Sequence, residues 1–272
     1  MTQTSRQSID VAGMRVDVVT MAEAVARVAE LLDRDGPSLV VTPNLDHLVR
    51  HRQSARFREL YNQAFLVCAD GAPIVWLSAL LPDSPTLPGR VTGVDLLWEV
   101  LKEHGRETGL FIIGSSELAC AAFTDRVHAE LGAIPVVSTS SDVAYLTDSE
   151  VTELARRIEA TDARLIALAL GSPKQEEFFI RLRPHLSHGV CIGCGAAIDL
   201  LGGTYRRAPR LMQERGLEWA FRLMQEPRRL WRRYLTNGMH FLPLLVRQGL
   251  SRGSTCVRRR SAEPRSARVH RR

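Results

Sequence analysis

No run of apolar residues in this chain approaches the ~20 that a membrane-crossing helix needs, so an integral membrane protein is not expected. The opening residues, MTQTSRQSID, lack the charged-then-apolar profile of a secretory signal, and the chain is expected to stay in the cytoplasm. Its five cysteines are odd in number and scattered, which sets aside a disulfide framework. Cys191 and Cys194 form a lone C-x-x-C without the second pair that zinc would want, and read as two small buried residues beside a strand end. Two glycine signatures are also missing: G-x-G-x-x-G after the first strand, and G-x-x-x-x-G-K-[ST]. Their absence counts against a dinucleotide oxidoreductase and a P-loop enzyme. Lysine does not occur after residue 200.

What is present is a globular composition, 45% apolar over 272 residues, enough for one large domain or a domain with an appendage. The charge is unevenly placed. Residues 1–200 hold 18 basic against 26 acidic side chains, whereas 201–272 hold 18 arginines against 4 glutamates, within a whole-chain net of +6. Such asymmetry predicts that the C-terminal end meets an anionic partner: phosphate, nucleic acid or lipid head groups.

Along the chain, residues 8–19 alternate around Gly13 like a small hairpin, and Thr20-x-x-Glu23 is a capping box before an apolar stripe from Ala22 to Leu32. Short apolar strands follow at 38–42, 65–69, 110–114, 134–138, 164–170 and 189–193. Helices are expected from Leu45, over 73–81 and 94–104, from Ser115-Ser116-Glu117, from a second capping box at Thr147-x-x-Glu150, and from Pro173. A Pro-rich loop is expected at 82–89. Strands alternating with amphipathic helices define an α/β, Rossmann-like domain with a mainly parallel sheet flanked by helices. After about 205 the chain becomes Arg-rich helix, to about Gln248. Residues 1–205 are thus expected as the α/β domain, 206–250 as a helical appendage, and 251–272 as a disordered basic tail.

In an open parallel sheet, ligands bind beyond the carboxyl ends of the strands, near helix N-termini. The residues there are Thr42-Pro43-Asn44, Asp70-Gly71, Gly114-Ser115-Ser116, Gly171 to Glu176, and Gly195 to Asp199. Each has a structural explanation: Asn44 as an N-cap, Asp70-Gly71 as a turn, and Ser172, Pro173 and Gln175 as N-cap, N1 and capping-box partner. That leaves Lys174 and Glu176 over, and polar residues collected at several strand ends point to a phosphorylated ligand. Asp33-Arg34-Asp35 spells a D-x-D but precedes a strand, and reads as a turn, so no metal is expected.

The segments TPN (42–44), ADGAPIVW (69–76), GRVTGVD (89–95), FIIGSSE (111–117), ALGSPKQEEF (169–178), GCGAAIDLLGGTYRRAP (193–209) and EWAFRLMQEPRRLWRRY (218–234) together resemble the WecG/TagA/CpsF family of bacterial glycosyltransferases, over roughly residues 10–245. The resemblance implies an inverting, metal-independent transferase that moves a sugar, typically of N-acetylmannosamine type, from a UDP-sugar to a polyprenyl-pyrophosphate-linked sugar. The products would be precursors of teichoic acid, enterobacterial common antigen, capsule or exopolysaccharide. By position, Asp70 takes the role of base, and Thr42 and Asn44 orient hydroxyls. Arg90, Gly114 and Ser115 face the diphosphate, Gln175 and Glu176 the sugar, and Asp199 the uridine. Arg206, Arg229 and Arg232, with their aromatic neighbours, are expected to meet pyrophosphate or an anionic membrane surface. The implied location is peripheral, on the inner face of the cell membrane; no cofactor is implied, and a homo-oligomer is left open. The competing expectation is a nucleic-acid-binding protein using 206–272, although no recognition motif is present. A nicotinamide oxidoreductase is the third, and lacks its glycine fingerprint. Saturable UDP binding separates the first from both.

Overall fold

The computed structural model describes residues 7–261 except 82–83 and 141–142, with side chains described as far as 247. The first two residues of the expected Pro-rich loop therefore lie outside the described residues. A hairpin opens the fold, with β1 (Ser8–Val11) antiparallel to β2 (Met14–Asp17). α1 (Met21–Leu32) starts at the expected capping box: the Thr20 hydroxyl accepts from the Glu23 N–H while the Glu23 carboxylate accepts from the Thr20 N–H. β3 (Ser38–Val41), α2 (Leu45–Gln53), α3 (Ala55–Tyr61), β4 (Ala64–Val67) and α4 (Ala72–Ser78) follow. Then come α5 (Gly93–Thr108), β5 (Leu110–Gly114), α6 (Glu117–Leu131) and β6 (Val136–Thr139). α7 (Asp148–Ala160), opened by the second capping box, leads to β7 (Leu165–Ala169), α8 (Lys174–Leu182), β8 (Val190–Gly193) and α9 (Ala197–Leu201).

Six strands form one parallel sheet in the order β4-β3-β8-β7-β5-β6. Strands such as SLVV, LFIIG and VCIG are buried along their whole length because helices cover both faces. One apolar layer holds α2, α3, α4, α7 and α8 with the hairpin, and the other holds α1, α5, α6 and α9. The fold is therefore α/β and Rossmann-like, and all six carboxyl ends share one rim.

Two local expectations shift. The strand expected from Ile134 begins at Val136, because Pro135 has no N–H to give the ladder and only its carbonyl is used, accepting from the Leu110 N–H at 2.8 Å. The capping box expected at Ser172 and Gln175 does not form: the cap position is Pro173, without a side-chain bond, and Gln175 is buried. Gln175 turns inward because Gly193 lies opposite it; a Cβ there would sit 2.6 Å from the Gln175 amide nitrogen.

Beyond the sheet, α10 (Arg210–Glu214), α11 (Glu218–Gln225) and α12 (Pro227–Ser261) fold back over the rim. The link between α10 and α11 sits tight on α4. Gly216 has φ +71°, and a Cβ there would lie 2.6 Å from the Ala72 Cβ. α12 passes the expected end near Gln248 and enters the stretch expected to be disordered, of which 262–272 lie outside the described residues. No proline interrupts the sequence between Pro243 and Pro264. The helix buries one face and leaves an apolar stripe exposed on the other. Leu230, Asn237 and Leu244, seven residues apart, are buried, while Trp231, Leu235, Met239, Leu242 and Val246 are exposed on the opposite side.

The closest backbone approach is at Gly202, where a Cβ would lie 2.7 Å from the Ala119 carbonyl and 3.0 Å from that of Ile198. Gly202→Ala should cost about 1–3 kcal/mol in urea unfolding, since backbone must move to admit the methyl. Gly238→Ala, in open space within α12, should leave stability unchanged or raise it by up to ~1 kcal/mol.

Candidate active site

The ends of β3 and β4 are joined tightly. The Asp70 N–H donates to the Pro43 carbonyl at 2.9 Å, and a Cβ on Gly71 would meet the Asn44 Cα at 3.1 Å. Asn44 caps α2, its amide oxygen accepting from the Asp46 N–H at 3.0 Å. These contacts place Asn44 and Asp70 side by side on the floor of a cleft of about 270 Å³. Arg90 forms one wall; Glu218, Trp219, Arg222, Arg233 and Tyr234 of the C-terminal helices form the roof.

A chain of charges fastens that roof. Arg90 donates to the Glu218 carboxylate at 3.2 Å and to the Gln213 carbonyl. Arg207 makes a two-pronged bond to Asp95, 2.6 Å on each side, and approaches Glu218 at 3.6 Å. Thr92, the N-cap of α5, donates to Asp95 at 2.7 Å. Burial works against the Asp95 charge, yet the bonds from Arg207 and Thr92 hold its carboxyl below the usual range.

Asp70 is different. It lies half-buried in the cleft, and burial, reinforced by the Glu218 charge, pushes its pKa up to about 7 against the pull of Arg222 and Arg90. A carboxylate poised near neutrality in a cleft is suited to taking a proton.

A second cleft, about 310 Å³, opens at the ends of β7 and β8. Its walls include Gly171, Gly195, Asp199, Tyr205, Arg206 and Arg229, and it shares Arg222 and Arg233 with the first. The two clefts thus lie on either side of a common arginine wall.

Of the residues singled out from sequence, the structure gathers Asn44, Asp70 and Arg90 in the first cleft and Asp199, Arg206 and Arg229 in the second. Six others line neither. Thr42 is buried and donates to the Gly193 carbonyl at 3.3 Å. Gly114 and Ser115 form a left-handed turn at the end of β5, with φ +96° and +64°. Gln175 and Glu176 are buried under the rim, 2% and 0% exposed. Arg232 is exposed on α12, its guanidinium 5.3 Å from the Trp231 ring centre. Sequence reasoning missed Glu218, Asp95, Asp46 and Asn237. Glu218 had one signal, being among only four glutamates after residue 200. The C-x-x-C cysteines are buried with thiols pushed up to about 12 by burial, which makes them inert packing residues. Among the described residues, no three His, Cys, Asp or Glu side chains converge to hold a metal ion.

A parallel sheet covered on both faces, with a titratable carboxylate and arginine walls at its carboxyl rim, is the layout of an enzyme acting on an anionic substrate. The chain belongs to the Glycosyl transferase WecG/TagA/CpsF family, whose model matches residues 9–255. It is thus a glycosyltransferase. Among its relatives is the N-acetylglucosaminyldiphosphoundecaprenol N-acetyl-beta-D-mannosaminyltransferase of Bacillus spizizenii. The two are 29% identical over 206 residues, covering 75% of this chain and 77% of that protein.

The titration of Asp70 is directly measurable. Its carboxyl carbon, assigned by difference from Asp70→Asn, should move through a midpoint near 7. Glu218→Gln should lower that midpoint by removing a like charge. Because the folded value lies above the ordinary one, this group favours the folded state at low pH, and that contribution is lost as pH rises through about 7. A midpoint near 4 would contradict the burial argument.

Proposed function

We propose that the protein is an inverting transferase that moves an N-acetylmannosamine-type sugar from a UDP-sugar to a polyprenyl-pyrophosphate-linked sugar during cell-surface polysaccharide synthesis. The observation that carries this reading is Asp70, a carboxyl poised near neutral pH beside an arginine wall shared by two clefts. The activity for which the Bacillus spizizenii relative is named supports the choice of sugar and acceptor.

In this mechanism the acceptor hydroxyl enters the first cleft and is oriented by Asn44. Asp70 takes its proton as the oxygen forms a bond to the donor's anomeric carbon. The bond from that carbon to the diphosphate breaks on the opposite side, and UDP departs with the electron pair. UDP occupies the second cleft with its uridine toward Asp199. Arg206, Arg222, Arg229 and Arg233 meet the charge that develops on the diphosphate, the role that a divalent ion fills in other transferases. Transfer should therefore persist in excess chelator.

The acceptor's lipid fits the outer face of α12. Trp231, Leu235, Met239, Leu242 and Val246 form an exposed apolar stripe flanked by arginine, a pattern suited to lying in an anionic interface. No helix among the described residues is long and apolar enough to cross a membrane. The protein would thus work as a peripheral enzyme on the inner face of the membrane.

Asp70→Asn should lower transfer about 10²–10⁴-fold while UDP still binds. Wild-type kcat/KM should rise with pH through about 7 and level off above it, since only the ionised carboxylate accepts the proton. Near wild-type turnover by Asp70→Asn would place the base elsewhere, and failure to bind UDP would remove the donor assignment. Leu235→Ser with Leu242→Ser should release the protein from anionic liposomes in sedimentation without changing UDP affinity. Unchanged sedimentation would remove the membrane role of this face.

A further inference from the structure

Beneath Asn44 lies a polar cluster that neither cleft reaches. Glu176 on α8 is fully buried. One carboxylate oxygen accepts from the Gln175 amide at 3.0 Å and lies 3.7 Å from His47 Nε2; the other has no hydrogen-bond partner. His47 on α2 is 8% exposed, and its Nε2 is likewise without a hydrogen bond. The Tyr61 hydroxyl of α3, also buried and unpartnered, feels the Glu176 charge; burial first, then that charge, pushes its pKa well up.

The other imidazole nitrogen, Nδ1, meets Asn44 twice. It lies 3.4 Å from the Asn44 main-chain nitrogen and 3.0 Å from the side-chain Oδ1. The two contacts ask for opposite tautomers. A bare Nδ1 accepts from the main-chain N–H, whereas a protonated Nδ1 donates to Oδ1 and competes with the Asp46 N–H that already holds it. Burial first pushes the His47 pKa down. Glu176 and Asp46 favour the cation, while Arg50 and Arg233 oppose it. The ring is accordingly neutral at neutral pH, and one proton must choose between two nitrogens.

We propose that Glu176 is a positioning residue acting through His47: its carboxylate draws the imidazole proton to Nε2, leaves Nδ1 to accept from the Asn44 main chain, and so fixes the Asn44 amide at the mouth of the first cleft. Glu176 has acceptor capacity that the Gln175 amide leaves unfilled, so a proton on Nε2 gives the buried cluster the donor that it lacks, which sets the choice. With Oδ1 kept by the Asp46 N–H, the Asn44 Nδ2 group is left to donate into the cleft beside Asp70. Without that acceptor, the proton moves to Nδ1, pulls on Oδ1, and turns the amide out of register. The role is one of geometry, not of contact with substrate.

The tautomer is read directly from the ¹⁵N shifts of imidazole-labelled full-length protein near pH 7.5, with the His47 signals assigned by their loss in His47→Gln. The wild type should carry its proton on Nε2, and Glu176→Met, of similar size but without the acceptor, should carry it on Nδ1. A wild-type Nδ1–H tautomer overturns the proposal even if the variant does not fold, and so does the same tautomer in both proteins. The activity arm rests on the transferase reading. There Glu176→Met should lower kcat roughly 10–100-fold with donor KM nearly unchanged, the cost of a misplaced orienting group. In an Asn44→Ala background it should add less than about 2-fold, because the two act as one unit. Costs that multiply would show that Glu176 acts independently of Asn44 and would overturn the proposal. A wild type that transfers no sugar from any UDP-sugar would end the functional reading while leaving the tautomer result standing.

Discussion

The site depends on Glu218. It is among few negative charges in a C-terminal region dominated by arginine, and it stands between Arg90 of the core and Arg207, which in turn grips Asp95. Partly buried ion pairs of this kind add little net stability, since desolvation offsets much of their attraction. What they fix is position. With the pairs made, α11 and α12 cover the rim, Asp70 is left half-buried, and a like charge sits near it. The same contact that holds the roof therefore also tunes the group beneath it.

Much of the fold was legible because it is local. The boxes at Thr20–Glu23 and Thr147–Glu150 form as their spacing requires, and the fully apolar strands announce a sheet covered on both faces. The S-x-x-Q at Ser172 has much the same local form and yet does not cap. A glycine on a distant strand, Gly193, opens room for the Gln175 side chain, and burial prevails over capping. No window of sequence around residue 172 contains that information. The site divides in the same way. Asn44, Asp70 and Asp199 stand at strand ends, where the parallel-sheet rule directs attention. Glu218 and Asp95 join only through the return of the C-terminal helices, and Gln175 and Glu176, expected to face the sugar, are buried under the rim.

The arginine content also takes on a specific form. Arg222 and Arg233 face both clefts, so a group bound in one lies next to charge that serves the other. In the proposed reaction this places positive charge where the leaving diphosphate and the incoming acceptor come closest. Guanidinium is suited to that position because it stays charged at all relevant pH and presents several donors in a plane. Asp95, bonded on both sides by Arg207, keeps that arginine structural and separates it from those left to the clefts.

The strand order carries a consequence for how the chain is assembled. Within the six-stranded sheet, β3 with β4 and β5 with β6 are the first pairs to leave the ribosome, yet no ladder hydrogen bond joins one pair to the other. β7 and β8, the last strands made, go into the gap between them. Until residue 193 has emerged, the sheet is two separate ribbons whose inner edges are unpaired, and the rim that holds Asp70 has no partner strands toward the second cleft. The nascent protein is thus most open to mispairing late in translation, and closure of the gap is a long-range step of the kind that makes folding slow.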